Sequence, residues 1–405
     1  MSNSQLAGRL APTVAATASR RRPRILLAVT ADESMRLLEG FPHHLAARGW
    51  DVHVTSSPGP RSARLALDGT VRVHPLPMDR EVSPVHDVAA LLRWLRLLSA
   101  VRPDLVCVGT PKAGLLGGLA ALVTRVPRRL FLLRGLRSER MAGLAGRLVA
   151  LGERLSAACA HTVICVSPSL RSAAVRSGVV RRDTAVVLGH GSSNGVPEDI
   201  EPLPAPQRRD LRSSTFERPD RFTLGFVGRV TRDKGLDTLA AALAHLAAAG
   251  VVGNCLVIGG DDSEDGPALR AALDRSGWSV VHTGALADAL PRLAMVDALC
   301  LPSRREGFPN VVLEAAMLGV PTIGSDATGV VDAVVHGVTG LVVPAEDPIA
   351  LAESISSLEL DPARCATLGR QARRRAVEEF SRSRVWEHHE AFFREVLDTT
   401  EDRRP

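Results

Sequence analysis

The feature that most constrains the fold is one pattern met twice. Solid apolar runs at 25–30, 51–55, 105–108, 129–133, 162–166 and 185–188 alternate with helix-like periodic segments such as 113–122. The stretch 201–220 then places Pro202, Pro204, Pro206 and Pro219 among charged residues, after which the pattern restarts at 222–227, 255–258, 279–282, 298–301, 321–325 and 340–343. Strands that are apolar throughout are covered on both faces, and helices between them supply that cover; the result is a parallel, doubly wound sheet. The pattern predicts an α/β protein with two Rossmann-like domains facing a central cleft. The expected bounds are 24–200 and 221–380, with 201–220 as linker and 381–405 as a C-terminal segment. A helix near 384–397 in that segment is expected to cross back to the first domain. Residues 1–23 read as a disordered basic arm, because the basic run Arg20-Arg21-Arg22 follows the apolar-leaning stretch, the wrong order for a signal peptide.

Length and composition agree with two domains. The 405 residues are 45% hydrophobic, enough for a core in each half. Aromatics are only 3% and Tyr is absent, which argues against a base-stacking platform for nucleic acid. The net charge of +6 is split unevenly: residues 1–200 hold 27 Lys and Arg against 14 Asp and Glu, and the remainder holds 23 against 30. The basic half is expected to face something anionic: a phosphorylated substrate or an anionic membrane surface. A bias of the genome toward Arg is the competing account. Only two lysines occur, Lys112 and Lys234. Cys107, Cys159, Cys165, Cys255, Cys300 and Cys365 are scattered in mostly apolar stretches, and read as buried free thiols of a reducing compartment. No stretch reaches the roughly 20 apolar residues that span a bilayer. The expected location is cytoplasmic, with peripheral attachment to the inner membrane face.

In open sheets of this type, ligands sit at the carboxyl ends of strands. The strand ending at Val227 runs into Gly228-Arg229-Val230-Thr231-Arg232-Asp233-Lys234-Gly235 before a helix. Gly228 lets backbone approach a ligand, and Arg229 and Lys234 can bracket a diphosphate beside the helix N-terminus. The strand ending at Leu301 leads through Glu306 into a helix expected to start after Pro309 and stop at Gly319. Glu314, one turn inside, can accept hydrogen bonds from vicinal ribose hydroxyls, and Glu306 can meet sugar hydroxyls. Read singly, the first motif is also what a solvated surface turn offers, and Glu314 is also a helix-dipole glutamate. Asp261, Asp262, Glu264 and Asp265 read as a solvated loop rather than a metal site.

Taken together, Gly228-Arg229-x4-Lys234-Gly235 and Glu306-x7-Glu314 within EGFPNVVLEAAMLGVP resemble the family-4 retaining glycosyltransferases of GT-B fold, over about residues 24–395. The resemblance implies that Arg229 and Lys234 hold the donor diphosphate, Glu314 the ribose and Glu306 the donor sugar. Gly228 and the loop Gly307, Phe308, Pro309, Asn310, Val311 and Val312 would touch sugar and phosphate. It also implies a UDP-sugar as co-substrate, with no metal or other cofactor. Arg229, Lys234 and Glu306 are the expected catalytic groups.

The first domain resembles, more weakly, the branch of that family that builds undecaprenyl-linked oligosaccharides and capsular or teichuronic-type polymers. The stretches are 78–84, Thr110-Pro111-Lys112-Ala113-Gly114, Arg134-Gly135-Leu136-Arg137 and LGHGSSNGV at 188–196. Lys112, Arg134 and Arg137 are the candidate acceptor-binding cations for a polyprenyl phosphate or pyrophosphate; surface charges on a basic domain are the alternative. The segment 88–101, with Arg93, Arg96 and Trp94, reads either as a membrane-surface helix or as a core helix. The chain departs from many family members in having Leu133-Arg134-Gly135 where they carry a His, so no catalytic base is identified. The implied function is transfer of a hexose or N-acetylhexosamine to a lipid-linked or other anionic acceptor in envelope polysaccharide or phosphoglycolipid assembly. Competing readings are a transferase with a soluble acceptor, a nucleotide-sugar epimerase and a non-catalytic nucleotide-sugar-binding scaffold. A nucleic-acid partner is not expected.

Overall fold

The computed structural model describes residues 21–401 apart from 68, 80–82 and 262. Most of the N-terminal arm, the last four residues of the tail, Arg80, Glu81 and Val82 of the 78–84 stretch, and Asp262 lie outside the described residues.

The first sheet has seven strands: β1 (Arg24–Ala28), β2 (Asp51–Ser56), β3 (Arg72–Pro75), β4 (Leu105–Gly109), β5 (Arg128–Leu133), β6 (Thr162–Cys165) and β7 (Ala185–Val186). All pair in parallel, in the order β3-β2-β1-β4-β5-β6-β7. The second sheet has six: β8 (Thr223–Val227), β9 (Asn254–Ile258), β10 (Ser279–Gly284), β11 (Ala298–Leu301), β12 (Thr322–Ser325) and β13 (Gly340–Val343). They too are parallel, in the order β10-β9-β8-β11-β12-β13. Each sheet is therefore a doubly wound Rossmann-like sheet, as the apolar runs require. Strand β3 was not anticipated: Arg-Val-His-Pro is short, polar and ends in Pro, the composition of an edge strand. Its His74 ring stacks on His53 of β2, with 5.0 Å between centroids.

Core formation follows the sequence pattern closely. Ile25, Leu26 and Leu27 of β1, and Leu224 and Phe226 of β8, are at most 1% exposed. Within the Pro-rich connector, residues Ala205–Ser213 form a helix whose Arg208 and Arg212 pair with Asp297, each at 2.8 Å. The helix Pro84–Val101 buries Trp94 completely, its indole donating to Met78 Sδ at 3.4 Å, so this tryptophan belongs to the core rather than to an interface. The helix Gly143–Cys159 is reversed in character. It buries Gly146, Glu153, Ser156, Ala157 and Cys159, and it exposes Leu144, Leu148, Leu151 and Leu155. Small residues permit this packing: Gly118 of the helix Pro111–Val123 lies so close to Cys159 that an added Cβ would sit 3.1 Å from the Cys159 Cβ.

All six cysteines are buried and free. Burial pushes the thiols of Cys107, Cys165 and Cys255 up to about 12, so they stay protonated and inert at neutral pH.

Two helices, Pro362–Phe380 and Arg382–Glu401, close the chain. Val196 and Arg382 hold the junction between them: Val196 N donates to Phe380 O and Arg382 N to Val196 O, each at 2.9 Å. The last helix lies on the first domain. Trp386 meets Phe41 and His44, and Phe393 meets Trp50 and Phe41, with centroids 5.3–6.3 Å apart. Among the described residues, no helix is long and apolar enough to cross a membrane.

Candidate active site

The donor-side residues are assembled at the carboxyl ends of β8 and β11, where the strand order of the second sheet reverses. Gly235 ends the turn Arg232–Lys234 with φ +74° and opens the helix Leu236–Ala248. A Cβ there would overlap the Pro302 carbonyl oxygen, so the turn after β8 is locked against the loop after β11. That contact carries Lys234 across to Glu306. Lys234 Nζ lies 2.5 Å from Glu306 Oε1, which also accepts from Ser303 Oγ at 2.9 Å. Two further ion pairs brace the same loops, Arg304 with Asp237 at 2.8 Å and Arg305 with Asp233 at 2.7 Å. The Arg229 guanidinium, in contrast, is exposed and makes no ion pair among the described residues.

The helix Asn310–Met317 starts at Pro309 and points its free N–H groups toward the same space. The Asn310 side-chain oxygen there is buried without a hydrogen-bond partner. Glu314 sits one turn further on and its carboxylate makes no hydrogen bond or ion pair among the described residues. Burial raises its pKa above the ordinary glutamate value. Asp288 adds to the rise, and Arg36 and Arg382 act against it. The half-buried carboxylate is free to accept donors that a ligand supplies. An open cation, a helix N-terminus and an unsatisfied carboxylate together suit a diphosphate joined to a polyhydroxyl group.

The first domain closes on this loop directly. A Cβ on Gly307 would collide with the Arg134 carbonyl, so glycine is required where the domains touch. Ser167 Oγ donates to Gly307 O at 2.8 Å, and Ser169 Oγ accepts from Gly329 N at 2.7 Å while donating to Asp332. Arg140 pairs with Glu346 at 2.8 Å. Ser167, Ser169 and Ser303 were not singled out from sequence; the one available signal was the Ser-Pro N-cap at Ser167-Pro168.

The three acceptor-side cations fare differently. Arg134 follows β5, and its guanidinium lies against Gly109 with Nε donating to Ser193 Oγ at 2.9 Å. Its Nη1 is buried with no partner, and burial lowers its pKa to about 10, leaving it charged at neutral pH. Arg137 projects to the surface, while its backbone N–H is held by Glu153 at 2.7 Å. Lys112 stands in the first turn of the helix Pro111–Val123 and is neutralised by Asp87 at 2.7 Å. An anion at Lys112 must compete with that carboxylate.

The acidic loop after β9 is charge-paired, Asp261 with Arg270 at 2.8 Å and Asp265 with Arg232 at 3.2 Å.

The chain is similar to known proteins over most of its length. Residues 221–361 match the model for "Glycosyl transferases group 1", and residues 40–191 that for "Glycosyl transferase 4-like domain". The capsular polysaccharide biosynthesis glycosyltransferase CapM of Staphylococcus aureus is 31% identical, covering 94% of this chain and 99% of its own. An alpha-maltose-1-phosphate synthase of Mycolicibacterium smegmatis is 28% identical over 85% of this chain and 90% of its own. In fold, the chain is similar to Anabaena HepE solved with UDP and glucose (TM-score 0.77, 19% identity, 92% and 100% coverage). It is also similar to a sucrose-phosphate synthase from Thermosynechococcus elongatus (TM-score 0.75, 20% identity, 93% and 100% coverage). Two matched domain models, a relative aligned from end to end and the paired donor motifs at one cleft lead to one assignment: the chain is a glycosyltransferase and belongs to family 4, with the GT-B fold.

Proposed function

We propose that the protein transfers a hexose or N-acetylhexosamine from a UDP-sugar, with retention of anomeric configuration, to a lipid-linked or other anionic acceptor in envelope polysaccharide or phosphoglycolipid assembly. The observation that carries the donor half is the Lys234–Glu306 pair at the loop that opens the helix Asn310–Met317 with its unpartnered Glu314, with the exposed Arg229 on the same turn as Lys234. Arg229 and Lys234 stabilise the leaving diphosphate, and Glu314 takes the ribose hydroxyls. Glu306, poised on Lys234, holds the donor sugar. No enzyme nucleophile is needed, because the donor phosphate can accept the proton of the incoming hydroxyl; the two cations then do the work of a metal.

Two features support an acceptor at a membrane surface. Leu144, Leu148, Leu151 and Leu155 recur at helical spacing on one exposed face, and Arg147 and Arg154 share that helix. CapM is by name a capsular polysaccharide enzyme. The synthase of M. smegmatis is named for a sugar phosphate, which favours a soluble phosphorylated acceptor as second reading.

The test is nucleotide release from a panel of UDP- and GDP-sugars, with and without a membrane lipid extract, beside Glu314→Ala. Release that needs one UDP-sugar and the extract, and is lost in the variant, is expected. Release with a sugar phosphate alone, and no flotation with anionic liposomes, would move the acceptor to the soluble class. An inverted anomeric product would overturn retention, and loss of activity on chelation would overturn metal independence.

A further inference from the structure

The acceptor's anion needs a cation that no carboxylate already holds, and Lys112 does not provide one. A cavity of about 700 Å³ does: it lies between the turn Asp32–Leu38 and the helix Pro60–Ala66. These segments follow β1 and β2, so the cavity is on the carboxyl-end, cleft side of the sheet. Arg36, Arg61 and Arg64 line it, and their guanidinium groups make no ion pair among the described residues. The acidic groups nearby are occupied. Asp32 spends its two oxygens on the N–H groups of Arg61 and Ser62, at 3.0 and 2.8 Å. Glu39 pairs with Arg382 at 3.0 Å. Arg36 of this cavity favours the charged form of Glu314, against the effect of burial. Met35, Leu38 and Leu65 supply an apolar side.

We propose that this cavity holds the phosphate or pyrophosphate of the acceptor, with Arg61 and Arg64 as its principal ligands and Arg36 as a third cation on its wall. The proposal rests on the transferase reading above and adds the site and charge of the second substrate. Three guanidinium groups around one cavity favour a multivalent anion over a carboxylate, since each can give paired N–H donors to separate phosphate oxygens.

The full-length protein is first titrated with UDP, then, saturated with UDP, with inorganic pyrophosphate by calorimetry. Arg61→Ala with Arg64→Ala is expected to weaken pyrophosphate binding at least about tenfold, the scale of losing charge-assisted hydrogen bonds. Lysine at both positions should recover part of it. Both side chains are exposed, and the bond from Arg61 N to Asp32 survives substitution, so the fold is retained. UDP affinity is the control. Unchanged pyrophosphate affinity in the alanine variant, or no pyrophosphate binding to the wild-type protein, would overturn the pocket. A matching fall in UDP affinity would reassign the arginines to the donor and overturn it too. Failure of UDP to bind at all counts against the donor reading, and is seen in the first titration. Two further arms use a short-chain polyprenyl pyrophosphate in detergent micelles and a water-soluble hexose 1-phosphate. Whichever loses affinity in the alanine variant is the source of the anion.

Discussion

Both sheets reverse their strand order at the centre, between β1 and β4 in one and between β8 and β11 in the other, but the two crevices are filled differently. In the first domain Thr30 and Thr110 bridge the reversal. Thr30 N donates to Thr110 Oγ1 at 2.9 Å, the two hydroxyls meet at 2.8 Å, and Ala113 N donates to Thr30 Oγ1 at 3.0 Å. Thr110 holds this position at φ +72° and ψ 147°, a region that side chains other than glycine's seldom occupy. In the second domain the corresponding crevice has a lysine poised on a glutamate, an arginine left open and a carboxylate without donors. One reversal is closed by its own side chains, whereas the other leaves the Arg229 guanidinium and the Glu314 carboxylate without an ion pair among the described residues. A shared topology thus supplies two crevices, and local chemistry makes them different.

The largest expected effect is at the open crevice. On the proposed function, Lys234→Ala removes a cation that stabilises the leaving group and leaves Glu306 with Ser303 as its donor, so kcat should fall about 10²- to 10³-fold in a nucleotide-release assay. A fall under tenfold would erase the contrast between the two crevices.

Glu314→Gln sharpens the same contrast from the side of stability. It should weaken UDP binding about tenfold, as a charged acceptor becomes neutral. In the free protein it should do the reverse. The folded-state pKa of Glu314 is raised, so the folded protein binds more protons than the unfolded chain as pH climbs past the unfolded value. Stability is therefore lost with rising pH, and glutamine should raise Tm at pH 7 while leaving it unchanged well below the ordinary glutamate pKa. A lower Tm at pH 7 would mean that the carboxylate is already satisfied without ligand.

The smallest effect belongs to the closed crevice. Thr110→Val keeps the shape but leaves the Thr30 N–H without its acceptor, at a cost of about 1–3 kcal/mol in denaturant unfolding. Thr110→Gly should cost less, because it relieves the backbone. UDP affinity should not move in either variant; if it does, the first crevice takes part in donor binding.

Much of this was legible in the chain. The apolar runs located twelve of the thirteen strands, and the helix after Pro309 begins where its proline indicated. Strand β3 escaped because an edge strand carries little apolar signal. The residues proposed for the donor stand on local motifs: Glu306 and Glu314 share one loop and helix, and Arg229 and Lys234 share one turn. The acceptor side was less so. Periodicity states that a helix has an apolar face but not what covers it. Trp94, read as a candidate for an interface, is wholly buried, whereas the leucines from 144 to 155, at ordinary core spacing, face outward.

The sequence by itself determined two doubly wound domains and the short, contiguous motifs proposed to hold the donor, because burial patterns and turn chemistry act over a few residues. Only the tertiary structure decided which charges remain available. It joins Lys234 to Glu306 across 72 residues of chain and neutralises Lys112 with Asp87. It seats Gly307 against Arg134 and leaves Arg36, Arg61 and Arg64 around an open cavity. The reason is physical: a charge is defined by its neighbours within a few ångströms, and packing, not sequence spacing, chooses those neighbours.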